Sequence, residues 1–271
     1  MIEINNLTFR YPGNVVNVFE NFSLSLEGNR VYGLLGKNGM GKSTLLYLMS
    51  GLLLPSQGSV MVDGIESGRR LPETLREVFI VPEEFELPRM TLEDYVAVNS
   101  RFYPRFSRDI LVACLHDFGL PLSLRLDSLS MGQKKKAYMA FALAANTRYL
   151  LMDEPTNGLD IPSKSQFRKV VAGSMTDSRT IIISTHQVHD VEQLLDHVVI
   201  CGRNNVALDA SVSDIADRYV FETRRQDAPS DDVLYSEFSV QGSAVVALRG
   251  DRPETPVNLE LLFNAVTNGK I

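Results

Sequence analysis

The segment GKNGMGKST (36–44) constrains the fold of this chain more than any other nine residues in it. It matches the spacing G-x-x-x-x-G-K-[ST], follows the apolar run RVYGLLG (30–36) and precedes a helical pattern at 42–53. Glycines in such a loop let backbone N–H groups turn toward phosphate oxygens, and the helix N-terminus adds a favourable dipole. The segment therefore predicts a nucleotide-binding loop between a strand and a helix of an α/β fold.

Within this loop the polar and flexible positions are expected to face ATP. Lys42 would neutralise charge on the β- and γ-phosphates, and the Ser43 hydroxyl would bind Mg²⁺. The other loop residues expected to bind ATP are Gly36, Asn38, Gly39, Gly41 and Thr44.

The run YLLMDEP (149–155) is the second anchor of the predicted site. Two acids at the end of a buried apolar strand are unfavourable unless a cation meets them. We expect Asp153 to hold the Mg²⁺ shell and Glu154 to polarise a water for in-line attack on the γ-phosphate. The pair predicts hydrolysis as well as binding.

The pattern along the chain predicts an α/β fold with a mixed, mostly parallel core sheet. Residues 1–9 and 18–26 alternate apolar and polar positions and are predicted to be antiparallel strands. YLLMD (149–153) and TIIIS (180–184) are near-continuous apolar runs, typical of parallel strands buried on both faces. The other predicted strands are 58–62 and 77–81, and the predicted helices are 91–103, 108–118, one after LSMGQ, 162–174 and 187–195.

The segment LSMGQ (129–133) carries a family resemblance. It resembles the signature motif of the ATP-binding cassette (ABC) ATPases, usually LSGGQ. The order of motifs is similar too: the loop at 36–44, the signature at 129–133, the acidic strand at 149–154, EPTNGLD (154–160) and STH (184–186). The resemblance covers about residues 1–218 and implies the P-loop NTPase fold with an inserted α-helical subdomain.

The resemblance implies that the signature closes on ATP held by a second cassette, in a sandwich dimer. Ser130 heads a helix, so its hydroxyl and the helix dipole form an anion site. Met131 replaces the usual glycine, and we expect function to be retained because its neighbours supply the contacts. The signature residues expected to act in trans are Ser130, Met131, Gly132 and Gln133, and the following lysines 134–136 are predicted to form a solvated face.

Four further residues have roles that the resemblance implies. Tyr11 resembles the aromatic that stacks on adenine, and His186 resembles the switch histidine that acts with Glu154 on the attacking water. Asp160 resembles the D-loop acid that communicates across the dimer. In VPEEFELP (81–88), Glu83 occupies the Q-loop position, where the family commonly has glutamine, and is expected to remain a Mg²⁺ ligand with altered tuning.

We divide the chain into an ABC domain at 1–218, with its helical insertion at about 88–145, and a C-terminal tail at 219–271. The tail begins with a polar linker, RRQDAPSDD (224–232), and is predicted to add two short strands and a helix at 259–267 as a small α/β unit. The sequence assigns no role to this tail.

Composition limits the cellular setting. A net charge of −6 argues against a general affinity for nucleic acid, and the two cysteines form no metal or disulfide pattern. The longest apolar run, MAFALAA (139–145), is far shorter than a membrane span. We expect a cytoplasmic protein, peripheral on the inner face of the cell membrane through a partner.

These observations predict an ATP-hydrolysing subunit that powers a separate membrane-spanning transporter subunit. The cassettes would pair as a homodimer or a heterodimer. A short core with a tail of only about 50 residues resembles an exporter subunit more than a sugar-type importer with a large regulatory domain. The alternatives are the ATPase of an importer, or a soluble ABC ATPase acting on the ribosome or DNA. A P-loop GTPase or kinase leaves LSMGQ and STH unexplained.

Overall fold

The computed structural model describes residues 1–176, 178–225, 231–240 and 242–271. The strands within these residues are β1 (Ile2–Phe9), β2 (Phe19–Leu26), β3 (Val31–Leu35), β4 (Gln57–Val62), β5 (Ile65–Glu66), β6 (Val78–Val81), β7 (Tyr149–Asp153), β8 (Thr180–Thr185), β9 (His197–Cys201), β10 (Val206–Ser211), β11 (Tyr219–Arg224), β12 (Val233–Ser239) and β13 (Gly242–Leu248). The helices are α1 (Lys42–Met49), α2 (Pro72–Leu75), α3 (Leu92–Asn99), α4 (Arg108–Phe118), α5 (Met131–Ala144), α6 (Ile161–Gly173), α7 (Val212–Arg218) and α8 (Leu259–Thr267).

The central sheet has six strands in the order β10-β9-β3-β8-β7-β6. All neighbours are parallel except β10, which pairs antiparallel with β9 at the edge. Every residue of β3, β7 and β8 is buried, because helices and a second sheet cover both faces. The predicted mixed, mostly parallel core is confirmed, and the carboxyl ends of β3, β7 and β8 meet at one edge of the sheet.

The second sheet holds the N-terminal strands, in the order β2-β1-β4-β5. Its pairs are antiparallel, as predicted for β1 and β2, and one face is buried. That face packs on α1, whose apolar residues share a core with Ile2, Leu26 and Leu151. Helix α1 therefore lies between the two sheets, which fixes the direction in which its N-terminus points.

Helices α3, α4 and α5 lie between β6 and β7 in the chain. Thr91 and Ser107 cap α3 and α4 as predicted, each accepting a hydrogen bond from a backbone N–H of the first turn. Helix α5 begins at the exposed signature and ends fully buried, with Phe141 among the rings of Tyr95, Tyr103 and Phe106. One rigid helix thus connects the signature to the core.

Three predicted helices differ in the structure. The helix predicted at 91–103 ends at Asn99 and is followed by a 3₁₀ turn, Ser100–Phe102. Helix α1 was predicted to reach residue 53 but ends at Met49, because Gly51 has φ 70° and a Cβ there would lie 2.3 Å from the Ser67 carbonyl oxygen. The predicted helix at 187–195 is wrong: the segment forms two short 3₁₀ turns, Val188–Asp190 and Glu192–Leu194. Buried valines at 188 and 191 hold these turns against the core.

The C-terminal residues form a three-stranded antiparallel sheet, ordered β11-β13-β12, with α8 packed on it. The prediction had two strands and missed β11, which begins directly after α7. Residues 226–230 of the predicted linker lie outside the described residues, and Arg224 and Asp232 on either side of them form a two-pronged ion pair at 2.7 Å. Helix α8 also packs against the turn at Val188–Asp190, so the tail shares its core with the segment that follows His186.

Candidate nucleotide site

The loop between β3 and α1 has the backbone that phosphate binding needs. Gly41 has φ 87°, and a Cβ there would lie 2.7 Å from the ring of Phe19 and 2.8 Å from Val18. Gly39 also has a positive φ, 82°. Both conformations are unfavourable for other residues, so the sequence pattern is a direct requirement of the loop geometry. Gly36, Asn38 and Thr44 lie on the same β3–loop–α1 segment.

Lys42 is the first residue of α1 and is only 6% exposed. Its Nζ donates to the carbonyl oxygens of Gly36 at 2.7 Å and Lys37 at 3.4 Å, and lies 3.8 Å from Glu154 Oε1. Burial lowers the pKa of Lys42, and the carboxylates of Glu154 and Asp153 oppose that shift. The loop therefore holds a cation beside the acids at the end of β7.

Tyr11 lies beside the start of α1. Its hydroxyl is 3.0 Å from Thr44 Oγ1, and its half-buried ring meets Phe9 edge to face with centroids 4.9 Å apart. The expected aromatic is thus placed at the rim of the P-loop. These contacts fix the hydroxyl end of the ring and leave the stacking role a prediction.

Asp153 ends β7 and is 1% exposed. Its carboxylate accepts hydrogen bonds from the hydroxyls of Ser184 and Ser43, and burial raises the pKa of Asp153. Negative charge from Glu154 and Glu83 raises it further. Buried oxygen donors with excess negative charge fit Mg²⁺, which keeps waters and substrate phosphates as its other ligands. No group of three acidic, histidine or cysteine ligands occurs among the described residues.

Glu154 follows Asp153 with φ 43°, a left-handed conformation that is rare for glutamate. Its Oε2 accepts from Thr185 Oγ1 at 3.0 Å, and its Oε1 accepts from the His186 N–H at 3.1 Å. The backbone N–H of Glu154 donates to the Ser184 carbonyl oxygen at 3.0 Å. The end of β8 therefore fixes the carboxylate in one orientation, within reach of Lys42.

His186 Nδ1 lies 2.8 Å from Glu154 Oε1, and the side chain is 33% exposed. An ionised carboxylate can only accept, so Nδ1 carries the hydrogen in this contact. A neutral ring would then present Nε2 as an acceptor. For His186 to donate to a phosphate, the ring must carry two protons or leave Glu154.

Glu83 is half-buried beyond the end of β6, and its Oε1 accepts from Asn157 Nδ2 at 2.7 Å. Glu84 and Glu86 are exposed, as expected for a solvated turn. Phe85 packs on the ring of Tyr138 with centroids 4.5 Å apart. Among the described residues, Glu83 is the acid of this loop that forms a hydrogen bond with the turn after Glu154, through Asn157.

The signature residues form the N-terminus of α5. Ser130 and Gln133 make a reciprocal capping box, with the Gln133 N–H 3.3 Å from Ser130 Oγ and the Ser130 N–H 3.1 Å from Gln133 Oε1. Met131 is 56% exposed, and Gly132 lies near Gly158. Among the residues that the structure describes, no hydrogen bond or ion pair joins this segment to the P-loop of the same chain. The signature is thus presented outward.

Asp160 caps α6. Its Oδ1 accepts from the Ser163 N–H at 2.9 Å, and this bonding lowers the pKa of Asp160. The side chain is exposed at the same surface segment as Gly158. A capping role is therefore present in the single chain, and the role across a dimer stays a prediction.

Lys135 is the residue that sequence reasoning missed. It was predicted to lie on a solvated face, but it is 6% exposed and its Nζ donates to the Asn157 carbonyl oxygen at 2.8 Å. Helical spacing could have revealed this, because positions 139 and 142 on the same face are buried and small or apolar. Asn157 was likewise not singled out.

Known proteins resemble the chain in sequence and fold. A model of the ABC transporter family matches residues 19–157, from the start of β2 through Asn157. The ABC transporter ATP-binding protein YtrB of Bacillus subtilis is 26% identical over an alignment covering 100% of this chain and 99% of that protein. The methionine import ATP-binding protein MetN of Carboxydothermus hydrogenoformans is 32% identical, with coverage of 79% and 67%.

A solved structure of the ATP-binding subunit of an ABC transporter superposes with a TM-score of 0.70 at 25% identity, and the match covers 79% of this chain and 91% of that one. The P-loop (36–44), the signature (129–133) and the acidic end of β7 lie within the region that the family model matches, whereas Tyr11, Asp160 and His186 lie outside it. The chain therefore belongs to the ABC transporter family, as an ATP-binding subunit with ATPase activity.

Proposed function

We propose that this chain hydrolyses Mg-ATP with Glu154 as the base that polarises the attacking water. The observation that carries this is the fixed Glu154 carboxylate, held by Thr185 and His186 and 3.8 Å from Lys42 Nζ. A fixed acceptor beside a phosphate-binding cation is the arrangement that in-line attack requires. His186 supports it through Nδ1, which lies 2.8 Å from Glu154 Oε1.

Mg²⁺ would be held by Ser43 and Asp153, with Glu83 as the third protein oxygen. When bound, the ion supplies charge neutralisation between the β- and γ-phosphates. Glu83 offers a charged oxygen where the family commonly has a neutral amide, so binding of the ion should be tighter. In the structure Glu83 bonds to Asn157, and it would exchange or share that contact on binding the ion.

We further propose that two cassettes sandwich two ATP molecules between P-loop and signature. The exposed start of α5, where Ser130 and Gln133 cap the helix N-terminus, supports this, because an anion site facing outward needs a ligand from another surface. Asp160 lies on the adjacent exposed segment. A homodimer is the simplest assembly, and a heterodimer with a related cassette is the alternative.

A separate membrane-spanning subunit would dock beside the helical insertion. No helix among the described parts of the chain has the length and apolar character to cross a bilayer. A cleft of about 550 Å³ lies between α2, β6 and Tyr138, and exposed Phe102 (64%) and Leu52 (54%) border it. Exposed aromatic and aliphatic groups around a cleft fit a partner loop. The cassette would then sit on the cytoplasmic face of the membrane.

Export is the direction that we propose for transport, on the family resemblance of the sequence. Import is the second candidate, because the name of the MetN relative states import for that protein. A soluble ABC ATPase acting on the ribosome or DNA is the third. Nucleotide-driven movement of substrate in sealed, inside-out vesicles separates the first two.

Co-purification tests the transporter assignment. The full chain, tagged and expressed with the membrane protein encoded by the neighbouring gene, should recover that protein in detergent at a fixed ratio, and ATPase activity should change on reconstitution. Ser130 variants should keep this association. Recovery of ribosomes or DNA in place of a membrane protein would contradict the proposal and support the soluble alternative.

A further inference from the structure

Lys135 reaches from α5 to the turn that follows β7. Its Nζ donates to the carbonyl oxygens of Asn157 at 2.8 Å and Glu154 at 3.4 Å. These carbonyls bracket a single turn, because the Asn157 N–H donates to the Glu154 carbonyl oxygen at 3.1 Å. One side chain of α5 therefore fastens both ends of the turn that directly follows the candidate base.

The turn needs such fastening. Glu154 has φ 43°, and a non-glycine residue in that conformation is held only when its surroundings determine it. The backbone N–H of Glu154 donates to the Ser184 carbonyl oxygen, and the carbonyl oxygen of Glu154 accepts from Lys135 Nζ. The peptide groups on both sides of the strained residue are thus fixed by different elements, β8 and α5.

Asn157 extends the link to Glu83. Its carbonyl oxygen accepts from Lys135, and its Nδ2 donates to Glu83 Oε1 at 2.7 Å. The order of contacts is thus lysine, asparagine, glutamate, across α5, the turn after β7 and the loop after β6. Glu83 has a charged carboxylate where the family commonly has a neutral glutamine. The buried ammonium group of Lys135 is connected to it through a single residue, Asn157.

The charges around Lys135 agree with this pairing. Burial lowers the pKa of Lys135, and the carboxylate of Glu83 is the largest influence opposing that shift, followed by Glu154. A buried ammonium group without compensating charge is strongly unfavourable. The neighbouring Lys136 has a different environment, donating to Gln166 Oε1 at 2.9 Å and lying 6.0 Å from the ring of Phe118.

We propose that Lys135 is a positioning residue that fastens the Glu154–Asn157 turn and compensates the charge of Glu83, so that the helix beginning with the signature is coupled to the candidate base. Lys135 lies only about 6 Å along the helix axis from Met131, at about 1.5 Å per residue. A displacement of the N-terminal end of α5 would therefore change the contacts of Lys135 Nζ with the carbonyl oxygens of Glu154 and Asn157. The inference rests on the proposed role of Glu154.

A double-mutant cycle on the full chain tests the coupling, with Mg-ATP as the only ligand. Lys135→Met keeps the length and removes the charge. It should lower kcat about tenfold while KM for ATP changes less than about threefold, because the P-loop is intact. Adding Glu83→Gln should restore kcat at least about fivefold above Lys135→Met alone, which corresponds to roughly 1 kcal/mol of activation free energy. The matched control Lys136→Met should stay within about twofold of the original kcat.

An unchanged kcat in Lys135→Met, or effects of Lys135→Met and Glu83→Gln that simply multiply, would overturn the inference. If Lys135→Met fails to fold, the double variant should fold, because the uncompensated charge of Glu83 is gone. A double variant that also fails to fold would overturn the inference. Glu154→Gln separates the two proposals: normal hydrolysis there rejects the base itself, whereas an inactive Glu154→Gln with an additive Lys135 cycle rejects only the coupling.

Discussion

Two helices bring a buried lysine to the acidic end of β7. At the start of α1, Lys42 bonds to carbonyls of its own loop and lies 3.8 Å from Glu154. Near the start of α5, Lys135 bonds to carbonyls of a turn 19 and 22 residues away in the sequence. Both lysines are 6% exposed. The first is held by local chain geometry and the second by tertiary packing.

The difference assigns different tasks to the two sides of the site. On the α1 side, the ammonium group of Lys42 lies in the glycine-containing loop expected to bind the triphosphate. On the α5 side, the ammonium group of Lys135 bonds to the carbonyl oxygens of Glu154 and Asn157. We therefore expect changes on the α1 side to affect ATP affinity, and changes on the α5 side to affect turnover.

The largest expected effect is on the α1 side. Lys42→Ala removes the P-loop cation that lies 3.8 Å from Glu154, so Kd for ATP should rise about 100-fold or more, the scale of a lost charge-assisted contact. Equilibrium binding of a fluorescent ATP analogue measures it. Lys135→Met should change the same Kd by less than about threefold. Normal ATP affinity in Lys42→Ala would contradict the P-loop assignment.

An intermediate effect is expected at Glu83, which lies between the two sides. Glu83→Gln replaces a charged oxygen with a neutral one, so the Mg²⁺ concentration for half-maximal ATPase activity should rise about three- to tenfold. Turnover across a Mg²⁺ series gives the value, with Glu84→Gln, an exposed neighbour, as the control. Superimposable curves for Glu83→Gln and the original protein would mean that Glu83 never meets the ion.

The smallest effect is expected at Met131, on the exposed end of α5. Its side chain points outward, and the capping box of Ser130 and Gln133 is made without it. Met131→Gly should therefore change kcat by less than about threefold, the size of a modest helix-propensity loss. Steady-state ATPase assays decide this. A gain of tenfold or more would show that methionine hinders closure and that the α5 side limits turnover.

The comparison also explains what the sequence could predict. Four site residues could be predicted because each lies in a short contiguous motif, either the loop between a strand and a helix or the end of an apolar strand: Lys42, Ser43, Asp153 and Glu154. Lys135 was not, since its partner carbonyls belong to the turn after β7, and a run of three lysines resembles a solvated face. The helix predicted at 187–195 was wrong because apolar periodicity does not distinguish one helix from two 3₁₀ turns, the first packed on α8 and the second on α6.

Residue patterns predicted the strands of the sheets, but they did not predict how the sheets pack against each other. The near-continuous apolar runs YLLMD (149–153) and TIIIS (180–184) predicted the parallel core, and the alternation of apolar and polar residues predicted β1 and β2. That the N-terminal strands form a sheet of their own, with α1 between it and the core, depends on side chains that meet only after folding. The same holds for the third strand of the tail.

Glu154→Gln tests the central claim, that the carboxylate held at the end of β7 is the base for hydrolysis. The amide keeps the size and can still accept from Thr185, but it cannot take a proton from water. The account predicts Mg-ATP binding with unchanged Kd, turnover at least about 100-fold slower, and an ATP-dependent dimer on gel filtration. Turnover equal to that of the original protein would reject Glu154 as the catalytic base.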